Sequence, residues 1–303
     1  MTAIETTKLT KRYGEETALD EFDLCVERGE VFGFLGPNGA GKSTTIDIFL
    51  DFIRPTDGQA LVADYDPQQS PRKVRQNIGV LPDEYSLYDS LTGIEHIELA
   101  KDLHGSEEDT DALLSRVGLA NAGNQAAGSY SKGMAQRLAF GMALVGDPDV
   151  LILDEPSAGI DPNGLQDMQE IIRAEAESGT TIFFSTHILE QVEAICDRVA
   201  IINDGELVAV DTLSGLRDSF DNQSTLTLSI DGAPTELELN AIDGVSDVKY
   251  SDGRLNVQLS NPQLTSTVIA QVEASGVSVT NIEIEEASLA DLFSQLTTEG
   301  DSE

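Results

Sequence analysis

Gly36-Pro37-Asn38-Gly39-Ala40-Gly41-Lys42-Ser43-Thr44 is the stretch that decides the fold. It fits G-x-x-x-x-G-K-[ST], a loop whose backbone N–H groups curl around a phosphate chain. Just before it, Val31-Phe32-Gly33-Phe34-Leu35 is short, apolar and bounded by glycine, which reads as a buried strand. Just after it, Ile46, Phe49, Leu50 and Ile53 recur at helical spacing and predict a helix over 42–53. Strand, glycine loop and helix in that order set the positive end of a helix dipole beside the loop. On this reading Lys42 reaches the β- and γ-phosphates of a nucleoside triphosphate, and the Ser43 hydroxyl holds Mg²⁺.

Working outward, Asp149-Val150-Leu151-Ile152-Leu153-Asp154-Glu155-Pro156 reads as a central parallel strand with two carboxylates at its C-terminal end. Ligands of open α/β sheets bind at the carboxyl ends of strands. Asp154 is therefore expected to ligate Mg²⁺, directly or through water, and Glu155 to polarise an attacking water. Residues 181–186 form another buried strand, and His187 at its end is a candidate γ-phosphate contact. The strand 78–81 ends at Pro82-Asp83-Glu84, carboxylates that are either solvated or lean over Mg²⁺. Ser129 to Arg137 is a small-residue turn opening a long helix, with Leu138, Met142 and Val145 inside; such a helix head can receive an anion. Ala158-Gly159-Ile160-Asp161-Pro162 opens the next helix, over 163–176. Upstream, 3–13 and 17–26 read as two half-exposed strands. Tyr13 at the end of the first is either a packing aromatic or a platform for an adenine ring.

Helices are expected over 95–103, 109–117 and 188–196, and a hairpin joins 199–202 to 207–210. His96 and His104 lack ligand partners at useful spacing and read as surface or packing residues. Residues 218–224 are polar and read as a linker. Beyond them, strands (225–230, 245–250, 255–259, 277–284) and helices (263–275, 288–296) suggest a small α+β unit, ferredoxin-like in element order. With 303 residues, two domains are expected, over 1–221 and 222–303.

Lys and Arg number 18 against 54 Asp and Glu, a net charge of −36. From Asn222 onward there are 14 acidic and 2 basic residues, net −12, which leaves −24 for the rest. An acidic excess spread over both parts suits a protein working in high salt. It argues against a nucleic-acid groove, which needs a basic face. Cys25 and Cys196 sit far apart without metal-ligand spacing and are each expected to be small buried residues. No apolar run reaches a membrane span and the start lacks a signal-peptide pattern, so a soluble, cytosolic protein is expected.

Together the motifs resemble the ATP-binding subunit of an ATP-binding cassette (ABC) transporter, from Ile4 to about Thr212. The resemblance implies an α/β fold, a P-loop NTPase cassette. It would have a parallel sheet core, an antiparallel β subdomain and a helical subdomain over about 85–146. It also implies Mg-ATP as the cofactor set, with Tyr13 stacking on adenine, Glu155 as general base and His187 on the γ-phosphate. Within the trans signature Ser131, Lys132, Gly133 and Met134, Ser131 and Gly133 would cap the phosphates held by Lys42 of a second cassette subunit, and Asp161 would couple the two protomers. The implied partner is a multi-span permease, with the chain peripheral on the inner face of the cell membrane. A docking cleft for that permease is expected just after Asp83, with Tyr85, Leu87, Tyr88 and Leu91 as candidates. The chain departs from the family pattern at Asp83, usually Gln, and at Lys132 and Met134, usually Gly and Gln. These departures, Leu81-Pro82-Asp83-Glu84 and Ala287-Ser288-Leu289-Ala290-Asp291-Leu292-Phe293 resemble the branch serving multidrug, antibiotic, lipid or polysaccharide exporters.

Overall fold

A computed structural model describes residues 1–157, 160–220, 224–231, 239, 242–251 and 253–286. The chain divides into two compact units, one from Met1 to Leu213 and the other beginning at Ser214.

The first unit opens with β1 (Thr2–Tyr13) and β2 (Glu16–Glu27), antiparallel, with Tyr13 opposite Glu16. Next come β3 (Val31–Leu35), α1 (Lys42–Phe49) and β4 (Asp57–Val62), and β1 lies between β2 and β4 in a three-stranded sheet. Side chains alternate along β2, so Leu24 and Val26 are buried while Cys25 between them is exposed. The expected burial of Cys25 is thus corrected by strand periodicity. Cys196 is buried, and burial pushes its thiol pKa up.

The remaining elements are α2 (Pro71–Asn77), β5 (Ile78–Leu81), α3 (Gly93–His104), α4 (Thr110–Arg116), α5 (Lys132–Ala143), β6 (Val150–Asp154), α6 (Pro162–Glu177), β7 (Thr181–Thr186), α7 (Leu189–Ile195), β8 (Arg198–Asn203) and β9 (Glu206–Thr212). They build a six-stranded sheet in the order β5-β6-β7-β3-β8-β9, parallel up to β8 and closed by the β8–β9 hairpin. Every residue of β3 and β7 is buried, as a sheet covered on both faces requires. Phe183 of β7 packs against Phe34 of β3 and Phe49 of α1, with ring centroids 5.2 and 5.6 Å apart. That aromatic cluster fixes the helix behind the phosphate loop.

Helix α1 stops at Phe49, short of the expected residue 53. Asp51 turns left-handed, with φ 59°, and the N–H groups of Phe52 and Ile53 fold back onto the Asp47 carbonyl. Phe52 is left 71% exposed. Helix α3 starts with a capping box between Thr92 and Glu95. His96 is a buried packing residue. Its Nε2 accepts the Tyr88 N–H at 3.0 Å, which leaves Nδ1 to donate to the Thr92 carbonyl at 2.8 Å. Among the described residues no helix is long and apolar enough to cross a membrane.

Helix α8 (Leu213–Phe220) runs into the stretch read as a linker, and Leu216 on it is buried; its apolar spacing was masked by the polar residues around it. In the second unit β10 (Ser224–Asp231), β11 (Val245–Ser251), β12 (Arg254–Leu259), α9 (Thr265–Ala274) and β13 (Ser278–Glu286) follow. The sheet order is β11-β12-β10-β13, all antiparallel. Leu226, Leu228, Leu255 and Val257 face Val268 and Val272 of α9 in its core. The expected helix over 288–296 and the exporter-like segment Ala287 to Phe293 lie outside the described residues.

Candidate active site

The phosphate loop leaves β3 at the edge where β6 and β7 also end. Gly41 caps α1 with φ 105°, and a Cβ there would sit 2.8 Å from the Ala18 carbonyl oxygen. Only glycine fits that conformation and that approach. Lys42 is 7% exposed, and its Nζ donates to the Gly36 and Pro37 carbonyls at 2.7 and 3.1 Å. Burial lowers the Lys42 pKa, against the opposing pull of Glu155, Asp154 and Asp83. A cleft of about 280 Å³ is lined by Asn38, Gly39, Gly41, Lys42, Ser43, Thr44, Asp83, Asp154 and Glu155.

Asp154 closes β6, level with Ser185 on β7. Its carboxyl pKa is raised, first by burial and then by the neighbouring charges of Asp83 and Glu155. Glu155 follows in the left-handed region at φ 45°, an unfavourable setting for a side chain of that size. Its N–H donates to the Ser185 carbonyl at 3.0 Å, which holds the turn. The turn aims its carboxylate back into the cleft: Oε1 lies 3.8 Å from Lys42 Nζ and 2.8 Å from His187 Nδ1. His187 is half-exposed at the end of β7. The structure therefore brings the loop, Asp83, Asp154, Glu155 and His187 together.

The remaining sequence candidates, Tyr13, the turn Ser131 to Met134 and Asp161, do not line this cleft. Tyr13 is 49% exposed, with Lys11 Nζ 4.8 Å from its ring centroid; a buried packing role does not fit that exposure. Ser131 caps α5, its hydroxyl accepting the Met134 N–H at 3.2 Å, which leaves the O–H free to donate outward. Lys132 is exposed on a neighbouring cleft shared with Asp83, Glu84 and Asp89. Gly133 and Met134 follow in the first turn of α5. Asp161 caps α6, with its Oδ1 accepting from Gly164 N–H at 2.9 Å. Ala158 and Gly159 lie outside the described residues.

Sequence reasoning missed Thr186, whose hydroxyl donates to Glu155 Oε2 at 3.2 Å. Its place as the last residue of β7, beside His187, was the available signal. It also missed Gln136, 4% exposed, whose amide nitrogen donates to the Pro156 carbonyl behind Glu155. Among the described residues no group of three or more His, Cys, Asp or Glu side chains closes a metal site by itself. Ser43, Asp83 and Asp154 offer hard oxygen donors on one cleft wall, a set that suits Mg²⁺ when phosphate oxygens complete the shell.

A second cleft, of about 520 Å³, is mainly apolar, with Leu50, Phe52, Tyr85, Leu87, Leu103 and Met142 among its lining. Of the four residues expected there, Tyr85 and Leu87 line it and Tyr88 and Leu91 do not. Tyr88 is turned away because its N–H is held by His96 and its ring stacks on the imidazole, 6.2 Å between centroids.

The family described as ABC transporter matches residues 19–158, and the family described as ATP-binding protein DrrA1-3-like, C-terminal domain, matches residues 212–297. The daunorubicin/doxorubicin resistance ATP-binding protein DrrA of Streptomyces peucetius is 34% identical, over 97% of this chain and 92% of its own. The bacitracin transport ATP-binding protein BcrA of Enterococcus faecalis is 31% identical, over 97% and 96%. A solved ATP-binding subunit of an ABC transporter superposes with a TM-score of 0.65 at 31% identity, covering 72% of this chain and 93% of that one.

Proposed function

This chain belongs to the ATP-binding subunits of ABC transporters, and from that premise we propose that it works as one half of a closing pair of cassettes exporting a drug-like or antibiotic compound. It binds and hydrolyses ATP and energises transport through separate permease subunits. The convergence of Lys42, Asp83, Asp154 and Glu155 on one cleft, with His187 held against Glu155, supports the roles that follow.

The loop N–H groups and Lys42 take up the β- and γ-phosphates, and in doing so Lys42 exchanges the Gly36 and Pro37 carbonyls for phosphate oxygens. Ser43, Asp83 and Asp154 would hold Mg²⁺, which would supply neutralisation of charge on the phosphates. Glu155 orients and deprotonates the attacking water. His187, through its 2.8 Å contact, keeps that carboxylate in place and presents its other ring nitrogen to the γ-phosphate. Thr186 steadies the second carboxylate oxygen. Tyr13 stacks on adenine. None of Ser131 to Met134 lines the phosphate cleft of its own chain, which supports a role for the head of α5 in capping the phosphates of a partner cassette. Asp161 meets that partner. Nucleotide bridging closes the pair, and hydrolysis removes the bridge.

The apolar cleft lined by Tyr85 and Leu87 receives a permease segment, which keeps the chain at the inner face of the cell membrane. The cassette occupies 1–221, with its helical subdomain at about 85–146, and 222–303 is a separate accessory domain. The test is co-purification from native membranes in concentrated KCl. The intact chain should carry a multi-span protein with it and turn over Mg-ATP. Leu87→Asp should release the membrane protein while soluble ATP binding persists. Unaltered membrane retention by Leu87→Asp together with a Tyr85→Asp change would refute the docking site.

A further inference from the structure

Two arginines of the helical region take no part in nucleotide chemistry, yet both reach out of it to the same helix. Arg116 ends α4, and its guanidinium meets Glu175 of α6 with two nitrogens, Nε 3.1 Å from Oε1 and Nη2 2.6 Å from Oε2. The Glu175 side chain is 6% exposed, so one partner of this bidentate pair is almost wholly out of water. Asp147 lies 3.9 Å from the same Nη2. Arg137, on α5, places Nη1 3.1 Å from Asp167 Oδ2, also on α6. Room for that guanidinium comes from Gly118, where φ is 68° and a Cβ would stand 3.0 Å from Nη1. At the helix heads, a Cβ on Gly164 of α6 would come within 3.9 Å of the Gly133 Cα. Helix α5, which carries the Ser131 to Met134 turn, therefore meets α6 at its first and second turns, and α4 meets it at its last.

Such pairs are poor stabilisers, because taking the charges out of water offsets most of their attraction. What a bidentate pair does supply is a fixed register between two elements. Two pairs from one subdomain to one helix speak for position rather than stability. Helix α6 is also the helix that Asp161 caps.

We propose that Arg116–Glu175 and Arg137–Asp167 clasp the helical subdomain to α6, so that the Ser131 to Met134 turn and Asp161 move as one body when the cassette pair closes. The four side chains are positioning residues: contact with a partner's nucleotide at one helix head is transmitted to the other by the clasp. Without it the turn would swing on α3, α4 and α5 while α6 stayed with β6 and β7. This rests on the paired-cassette reading.

The double variant Arg116→Met/Glu175→Met removes the bidentate half of the clasp without leaving an orphaned charge, and hydrophobic replacement of both partners of such a pair is tolerated by the fold. A spin label on the exposed Cys25 of β2 and a second on Asp111→Cys of α4 report the distance between core and helical subdomain in single chains. The unaltered pair should give one narrow distance distribution. The double variant should broaden it and lower ATP turnover about fivefold at unchanged ATP affinity, the size of effect that coupling mutations produce. The charge swap Arg116→Glu/Glu175→Arg should restore both. A distribution left unbroadened in the double variant, and still unbroadened when Arg137→Met/Asp167→Met is added to it, overturns the clasp, as does full turnover despite broadening. The distance measurement needs no second cassette. A parent protein that never pairs on ATP would count against the paired-cassette reading, while the single-chain distances would still decide the clasp.

Discussion

Glu155→Gln is the perturbation whose consequences the site geometry fixes most closely. The amide keeps the shape of the side chain and so its fit at φ 45°, and it can still accept from Thr186, 3.2 Å away. It loses the negative charge and the capacity to take a proton. Loss of a positioned general base costs about a thousandfold in kcat. That corresponds to roughly 4 kcal/mol of transition-state stabilisation. Binding should move the other way. Glu155 Oε1 sits 3.8 Å from Lys42 Nζ with both side chains largely buried, and it competes with phosphate for that ammonium. Two unit charges at this spacing attract by about 4 kcal/mol at an effective dielectric of 20, before desolvation is counted. Even a fraction of that, returned to the nucleotide, tightens ATP binding about tenfold. ATP should then stay bound and uncut, and gel filtration with Mg-ATP in concentrated KCl should show a persistent dimer where the parent returns to monomer. The reasoning is refuted if the variant hydrolyses ATP within about threefold of the parent, since losing a true base costs far more.

Tyr13→Ala should weaken ATP binding by about 1 to 3 kcal/mol, the worth of one base stacked on an aromatic face, and leave kcat at saturation unchanged; equal affinity for ATP and inorganic triphosphate in the parent would contradict it. The raised pKa of Asp154 means that its charged form is disfavoured in the nucleotide-free fold. Its contribution to stability is present below the unfolded-state pKa and is lost as pH rises through the folded value. Asp154→Asn should therefore raise the melting temperature of the nucleotide-free protein at neutral pH while abolishing the extra stabilisation by Mg-ATP; thermal shift with and without nucleotide reads both. A net charge of −36 predicts that transferring the chain from concentrated KCl to low-salt buffer lowers its unfolding midpoint, and an unchanged midpoint would show that self-repulsion is not limiting.

Much of the nucleotide site could be read from the sequence because its chemistry sits at strand ends. The five apolar residues of β3, the four of β6 before Asp154 and the buried run of β7 each announce a parallel strand. The residue after each run is then placed by topology alone, which is how Asp154, Glu155 and His187 could each be set at a strand end in advance, while the Glu155–His187 contact itself is visible only in the structure. The departures arise where local pattern and tertiary setting part. Cys25 lies among buried neighbours in sequence but on the wet face of β2, because strand period outweighs local hydrophobicity. The last turn expected of α1 is lost to a left-handed Asp51, and Phe52 is exposed on the second cleft. Tyr88 leaves that cleft because a buried histidine eight residues on claims its N–H, a contact no single-element pattern contains. Arg116 and Glu175, 59 residues apart, carry no periodic signal that would join them.

The most direct test of the central claim is calorimetric titration of Mg-ATP into the intact chain in concentrated KCl, alongside Lys42→Ala. Saturable binding is expected, with a dissociation constant between roughly 1 µM and 1 mM, as for substrates of enzymes in general, and it should vanish in the variant. An intact, folded chain that takes up no ATP, or a variant that binds it as the parent does, would contradict the account at its root.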